Sequence, residues 1–328
     1  KVHFIAQPKG SANEAIYRTD GTETGTYPID DVGRFGYYNP FFVWNDKIYF
    51  YARDINQDLG FELWISDGEN NNSKMLKDIY PGERSSKGEQ SVQSMPEIFI
   101  EFNNKLFFIA NDGTHGTELW TTDGTVEGTQ MFKDVNQTGH GMFDSHNQMQ
   151  ILNNKLYFIA NDGTNGLALW RTDGTVAGTA MFKDFNTTNT HQQLGYLHKV
   201  YFGINQALIF GADDGINGNE LWVTNGTEAG TYMLKDINPG EGSSIYSTLP
   251  YKIGIYHMFN FYFFANDGTH GYELWKTNGT SEGTVMVKDI NPGTESSMSG
   301  VNKDNNLVTY HNKIYFAATP NSYNYHIF

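Results

Sequence analysis

A block of about fifty residues is copied along this chain, and the copying constrains its fold more than any single motif does. The clearest copy, from Lys155 to Asp184, reads KLYFIANDGTNGLALWRTDGTVAGTAMFKD. Lys155 to Ala160 is β-branched and aromatic, and it stops at Asn161-Asp162-Gly163, whose Asp-Gly step suits a turn with positive φ. Leu167 to Thr172, closed by Asp173-Gly174-Thr175, is a second such run, and Thr179 to Asp184 is a third. Upstream, Met149 to Leu152 meets Lys155 across Asn153-Asn154, a two-residue connection of the kind that makes tight hairpins. The copy therefore reads as four strands joined in an antiparallel meander: a (MQIL), b (KLYFIA), c (LALWRT) and d (TAMFKD).

Strand b is almost continuously apolar, the pattern of a strand covered on both faces. A four-stranded sheet cannot supply two covers for itself, so neighbouring copies must. The Trp of strand c recurs at Trp64, Trp120, Trp170, Trp222 and Trp275, with Tyr17 in its place in the first copy. Strand b starts at Lys1, Lys47, Lys105, Lys155, Ala207, Phe261 and Lys313. The first copy begins at b with no strand a, and the last runs through a (LVTY), b and an apparent c (HIF) and stops before d. The expected fold is all-β: one domain over residues 1–328, a seven-bladed β-propeller of four-stranded antiparallel blades, with a strand missing from the first and last blades. No helical periodicity is present. The d-to-a connections vary most, although three share a Pro-Gly-x-x-Ser-Ser core beginning at Pro81, Pro239 and Pro292. In a propeller these loops lie on the same face as the b–c turns, the usual place for binding.

The formal net charge of -15 argues against a nucleic-acid partner, whose phosphates call for Lys and Arg, and against an anionic membrane surface. With no cysteine there is no disulfide framework, thiolate metal site or cysteine nucleophile. No apolar run approaches the ~20 residues of a membrane helix, so direct membrane insertion is not expected. No basic-then-apolar segment opens the chain; because its first residues already match strand b, the start reads as an interior point of a longer precursor.

Through ELWISDG from Glu62, ELWTTDGT from Glu118, ELWVTNGT from Glu220 and ELWKTNGT from Glu273, the chain resembles the ELWxxDGT repeat family over nearly its whole length. The resemblance implies a large secreted or surface-exposed protein of a Gram-negative bacterium, of a kind common in Bacteroidota and often carrying a C-terminal sorting domain for type IX secretion. It implies no particular activity. The chain departs from the motif at Ala15, Ala168 and His326, which stand where Glu is expected, and at Asn225 and Asn278, which stand for Asp.

Each copy repeats a polar set, such as Asp112, Glu118 and Lys133-Asp134, at one rim of the meander. A ring of ligand sites is one reading. The preferred one is a Glu–Lys pair between neighbouring strands plus an Asp that caps a turn, since a catalytic site should break the repeat. One loop does break it: Asp54, Asn56, Asp58 and Glu62 place oxygen ligands at every second position, a spacing that suits Ca2+, although Gly60 falls one place late. His115 and His270 occupy identical DGTHG turns too far apart in the repeat to share one zinc ion. His140, His146 and His191 lie in consecutive d–a loops and read as exposed polar residues. The recurring aromatics read as packing between blades, so ligand-facing groups are sought among non-repeating loop residues: Tyr38, Tyr80, Arg84, His140, Phe143, His146, His191, Tyr196 and Tyr246. Asn225-Gly226-Thr227 and Asn278-Gly279-Thr280 match a glycosylation sequon, yet they replace Asp-Gly-Thr turns and are explained as turns.

These features favour a non-catalytic, secreted or surface binding propeller that recognises a protein or polysaccharide through its loop face. One alternative is a docking subunit of an outer-membrane or type IX secretion assembly, with an outer-membrane protein as partner. The other is a polysaccharide hydrolase or lyase, for which Glu97 and Glu101 are the nearest candidate acids.

Overall fold

The computed structural model of the chain describes residues 1–7, 15–29, 41–53, 59–69, 72–82, 86, 99–142, 149–185, 194–195, 197–245, 254–297, 307–319 and 326–327. Among them all regular structure is β-strand, with no helix. Five copies form four-stranded antiparallel sheets in the order a-b-c-d. Sheet two comprises Phe42–Trp44, Lys47–Ala52, Glu62–Ser66 and Lys74–Lys77, and sheet three Ile100–Phe102, Lys105–Asn111, Thr117–Thr122 and Gln130–Lys133. Sheet four comprises Gln150–Leu152, Lys155–Asn161, Leu167–Thr172 and Ala180–Lys183. Sheet five comprises His198–Phe202, Asn205–Asp213, Asn219–Thr224 and Thr231–Lys235, and sheet six Gly254–His257, Asn260–Asn266, Tyr272–Thr277 and Val285–Lys288. The first copy is a three-stranded sheet of b, c and d: Val2–Ala6, Ala15–Thr19 and Tyr27–Pro28. In the last copy, Val308–Tyr310 pairs with Lys313–Tyr315, and beyond Phe316 the short strand Ala317–Ala318 pairs with His326–Ile327.

Local chemistry fixes the register. The a–b connections turn through left-handed backbone at Asn45-Asp46, Asn103-Asn104 and Asn153-Asn154, residue types that tolerate positive φ and match the twist of a two-residue hairpin. In sheets two to six the c–d ladder slips by one residue at the Leu–Trp step: Leu119 faces Lys133 while Trp120 faces Met131. The bulge at this repeated position bends strand d and increases the local twist.

The chain divides into two compact units, one of Lys1–Asn147 with Asn161–Gly163 and one of Gln148–Ala160 with Thr164–Phe328. In the first unit Ile16 and Ile29 of sheet one pack with Ile48, Phe50 and Trp64 of sheet two. Tyr51 and Leu63 of sheet two pack with Leu106, Phe108 and Trp120 of sheet three. In the second unit the same arrangement joins Tyr157 and Phe185 to Phe210 and Trp222, then Ile209 and Leu221 to Phe263 and Trp275. Phe264 and Leu274 then meet Phe316 and Ala318. Trp64, Trp120, Trp222 and Trp275 are thus each buried against the preceding sheet, which is why the residue recurs once per copy. A Trp that removes ~200 Å² from water contributes up to roughly 5 kcal/mol of transfer free energy. Polar ties accompany this packing: Lys235 Nζ donates to Thr284 O at 3.0 Å and Tyr51 Oη to Ile109 O at 2.8 Å.

Candidate functional site

The b–c turns and d–a loops share one end of each meander, and the conspicuous repeated carboxylate of that end belongs to the ELW glutamate. Glu62, Glu118, Glu220 and Glu273 are all buried, at 0–1% exposure. Each is the first or second residue of strand c and turns its carboxylate onto the loop that leaves strand d of the same sheet. Glu118 accepts from Val135 N at 2.8 Å, Asn136 N at 3.4 Å and Gly141 N at 2.7 Å. Glu62 accepts from Ile79 N at 2.8 Å, Tyr80 N at 3.4 Å and Ser86 N at 3.1 Å. Glu273 accepts from Ile290 N, Asn291 N and Ser297 N, and Glu220 from Ile237 N, Asn238 N and Ser244 Oγ. The expected Glu–Lys pairing is therefore corrected: the carboxylate clasps backbone amides, while the strand-d lysines Lys77 and Lys235 donate to carbonyls of the following sheet. Burial pushes Glu62, Glu118 and Glu220 up to about 7, against the opposing pull of their amide bonds, and raises Glu273 in the same direction.

The Pro-Gly-x-x-Ser-Ser core completes the clasp. Its second serine, Ser86, Ser244 or Ser297, is fully buried against the glutamate. Its carbonyl then accepts an amide of the next copy: Ser86 O from Asn111 N at 2.6 Å and Ser244 O from Asn266 N at 2.9 Å, each the last residue of a strand b, and Ser297 O from Thr319 N, just past Ala317–Ala318, at 2.7 Å. The first serine receives the amide that opens strand c, Asn219 N on Ser243 Oγ and Tyr272 N on Ser296 Oγ. Sheet three lacks this core, and His140 takes the first serine's role: its Nδ1 accepts from Thr117 N at 3.0 Å, which leaves the ring proton on Nε2. Gly141 stands for the second serine, because a Cβ there would lie 2.4 Å from Glu118 Oε2.

The b–c turns are closed in the same self-contained way. Asp112 Oδ1 accepts from Thr114 N and His115 N, and Oδ2 bonds His115 Nδ1 at 2.7 Å; Asp267 and His270 repeat the arrangement at 2.8 Å. The Asp112 and Asp267 bonds, led by their charge-assisted contact, raise His115 and His270, while Asp112 and Asp267 are held below the usual carboxylate range despite burial. At the other end, Asn225 Oδ1 accepts from Thr227 N at 3.0 Å and Thr227 Oγ1 at 2.7 Å, as Asp123 does from Thr125.

Two of the nine candidate ligand-facing residues are described, Tyr80 and His140. Tyr80 is half-buried with its ring over Gly113, where a Cβ would come within 2.7 Å of the ring. His140 pins its own loop to strand c. Tyr38, Arg84, Phe143, His146, His191, Tyr196 and Tyr246 lie outside the described residues, as do Asp54, Asn56, Asp58 and Glu97. Glu62, the remaining member of the calcium set, has its oxygens taken by Ile79, Tyr80 and Ser86, and does in sheet two what Glu118 does in a sheet without the inserted loop. The described residues hold no group of three or more side chains able to share a metal ion. Sequence reasoning missed the clasp because its partners are amides 17, 18 and 24 positions away, without a side-chain signature of their own. The signal that was present is the coupling of an ELW glutamate to a Ser-Ser pair at that distance.

No family model matches the chain, and no curated protein matches it. Among solved structures, a puromycin hydrolase S511A mutant complexed with PGG aligns over 94% of this chain and 46% of its own, with 11% identity and a TM-score of 0.47. A structure from a study of two prolyl endopeptidases aligns over 99% of this chain and 47% of its own, with 11% identity and a TM-score of 0.45. TolB from Acinetobacter baumannii aligns over 86% and 61%, with 10% identity and a TM-score of 0.37. The chain thus spans about half to three-fifths of the length of these structures, and similarity at this level carries no statement about activity.

Proposed function

We propose that this chain is a non-catalytic binding module, secreted or held at the cell surface of a Gram-negative bacterium, that recognises a protein or polysaccharide through the end bearing the d–a loops and b–c turns. In this reading the sheets are blades of a seven-bladed propeller, with the repeat and the sheet-on-sheet packing inside each unit as its support. The observation behind the functional reading is the clasp. Buried glutamates hold the part of the loop that leaves strand d, at Val135 and Gly141 in sheet three and at Ile237 and Ser244 in sheet five, while the residues between these points, such as exposed Gln137 and Thr138 in sheet three and Glu241 in sheet five, vary from copy to copy. A loop whose backbone is already ordered loses little entropy when it binds, and its variable side chains are then free to set specificity. Acidic loops and the overall charge disfavour a polyanionic partner.

The test is an array of polysaccharides probed with the purified chain, with and without chelator. Retention of an intact polysaccharide, weakened by Gln137→Ala with Thr138→Ala, supports the reading. Release of cleaved saccharides would instead establish the hydrolase or lyase alternative.

A further inference from the structure

The opposite end of the sheets carries residues that the fold itself does not require. At the a–b turns of sheets two to four the two central residues are polar and suited to left-handed backbone: Asn-Asp, Asn-Asn and Asn-Asn. In sheet six the same two positions are Met258 and Phe259, with φ of 45° and 64°. Bulky side chains are disfavoured in that region, and these gain no burial in return, at 58% and 64% exposure. In sheet five Gly203, with φ of 65°, supplies the turn, so the following position is free to be polar; it is Ile204, 97% exposed.

The two turns adjoin one another within the second unit. The rings of Tyr201 and Tyr256, on strands a of sheets five and six, lie 6.3 Å apart, and Tyr256 Oη donates to Tyr201 O. Three exposed apolar residues, Ile204, Met258 and Phe259, thus follow within three positions of these two neighbouring tyrosines. The segments Tyr201 to Gln206 and Tyr256 to Asn260 contain no Asp, Glu, Lys or Arg, in a chain with 37 acidic residues.

We infer that this end docks on an electrically neutral, zwitterionic lipid surface, with Ile204, Met258 and Phe259 entering the interfacial layer and Tyr201 and Tyr256 at headgroup level. Size and charge select this occupant. A stable protein interface buries about 800 Å² per partner, whereas three side chains of this size offer on the order of 400 Å². Shallow insertion into lipid needs no such extended, shape-matched area, and tyrosine, with an apolar ring and a polar tip, suits the membrane–water boundary. The net charge of -15 repels anionic headgroups, and the charge-free tips offer nothing to attract them. This site is separate from the proposed loop-end binding, which would face away from the lipid.

The experiment is co-sedimentation of the full chain with pure phosphatidylcholine vesicles and with equimolar phosphatidylcholine and phosphatidylserine, alongside analytical ultracentrifugation without lipid. The wild type is expected to partition onto the neutral vesicles and more weakly onto the anionic ones. The triple variant Ile204→Asn, Met258→Asn, Phe259→Gly is expected to lose about tenfold or more of that partitioning, the loss of three inserted apolar groups. Its melting temperature should be equal or higher, since Asn and Gly suit the turns, which separates loss of the tips from loss of the fold. Wild type that stays in the supernatant with neutral vesicles, or a triple variant that sediments as the wild type does, overturns the inference. So does wild-type self-association abolished by the triple variant, which would make a second copy the occupant.

Discussion

The loop end of these sheets and the a–b turns at the opposite end treat their side chains in different ways. At the loop end nearly every conspicuous polar group of the repeat is committed to the chain's own backbone: Glu118 to three amides, His140 to Thr117, Asp112 to its turn. At the other end Asp123 and Asn225 close the c–d turns in the same way, but the a–b turns demand a left-handed backbone rather than one side chain, and their residues range from Asn153-Asn154, where Asn153 donates to Asn225 O, to Met258-Phe259. A repeated charged residue thus marks the architecture here, and an unrepeated apolar residue in a turn marks a surface directed outward.

The largest expected effect comes from titrating the clasps together. A folded-state value raised to about 7 from an ordinary 4.5 means that Glu62, Glu118 and Glu220 hold protons that the unfolded chain releases across that interval. Their contribution is full below about 4.5 and is lost as pH rises to about 7, by up to about 1.4 kcal/mol per pH unit for each group. His115 and His270, also raised, act in the same direction. Urea unfolding from pH 5 to pH 8 should show falling stability, with a shallower slope after Glu→Gln at the three clasps. A rising profile would mean that the amide bonds outweigh burial.

Next is Glu118→Ala, which leaves the amides of Val135, Asn136 and Gly141 without their acceptor in a buried site. A loss of about 3 kcal/mol is expected at pH 6, with a smaller loss for Glu118→Gln, which keeps one oxygen. Gly141→Ala should cost about 1–3 kcal/mol by driving a methyl group into the same carboxylate. The smallest effect has the opposite sign: Met258→Asn with Phe259→Gly should stabilise by about 1 kcal/mol, read as a rise in melting temperature, because it relieves left-handed backbone without removing buried surface.

Much of the sheet structure was legible in the sequence. Strand c of the fourth copy, predicted over Leu167 to Thr172, has those bounds, and b and d differ by a residue at their ends. Alternation, turn residues and the recurring Trp are local signals, and local signals suffice for a meander. The bulge opposite the Leu–Trp step gives no such signal, because Phe132 reads as an ordinary strand residue. The role of the ELW glutamate was hidden for another reason: its partners are main-chain groups, whose positions depend on where the loop returns. For the same reason the shared serine core was visible as a pattern but not as the other half of a clasp, and His140 was visible as a candidate ligand-facing group but not as a substitute for serine. Met258-Phe259 escaped notice as a turn because turn prediction looks for Asn, Asp and Gly.

The most direct test of the clasp is amide hydrogen exchange at Val135 and Gly141, compared between the wild type and Glu118→Ala. Among the described residues Val135 N bonds the Glu118 carboxylate and Gly141 N bonds both that carboxylate and Thr117 O, so both should exchange in the wild type as slowly as neighbouring strand amides, and in the variant Val135 should exchange much faster and Gly141 moderately faster. Fast exchange at both positions in the wild type, or protection unchanged in the variant, would contradict a glutamate that holds the loop to the sheet.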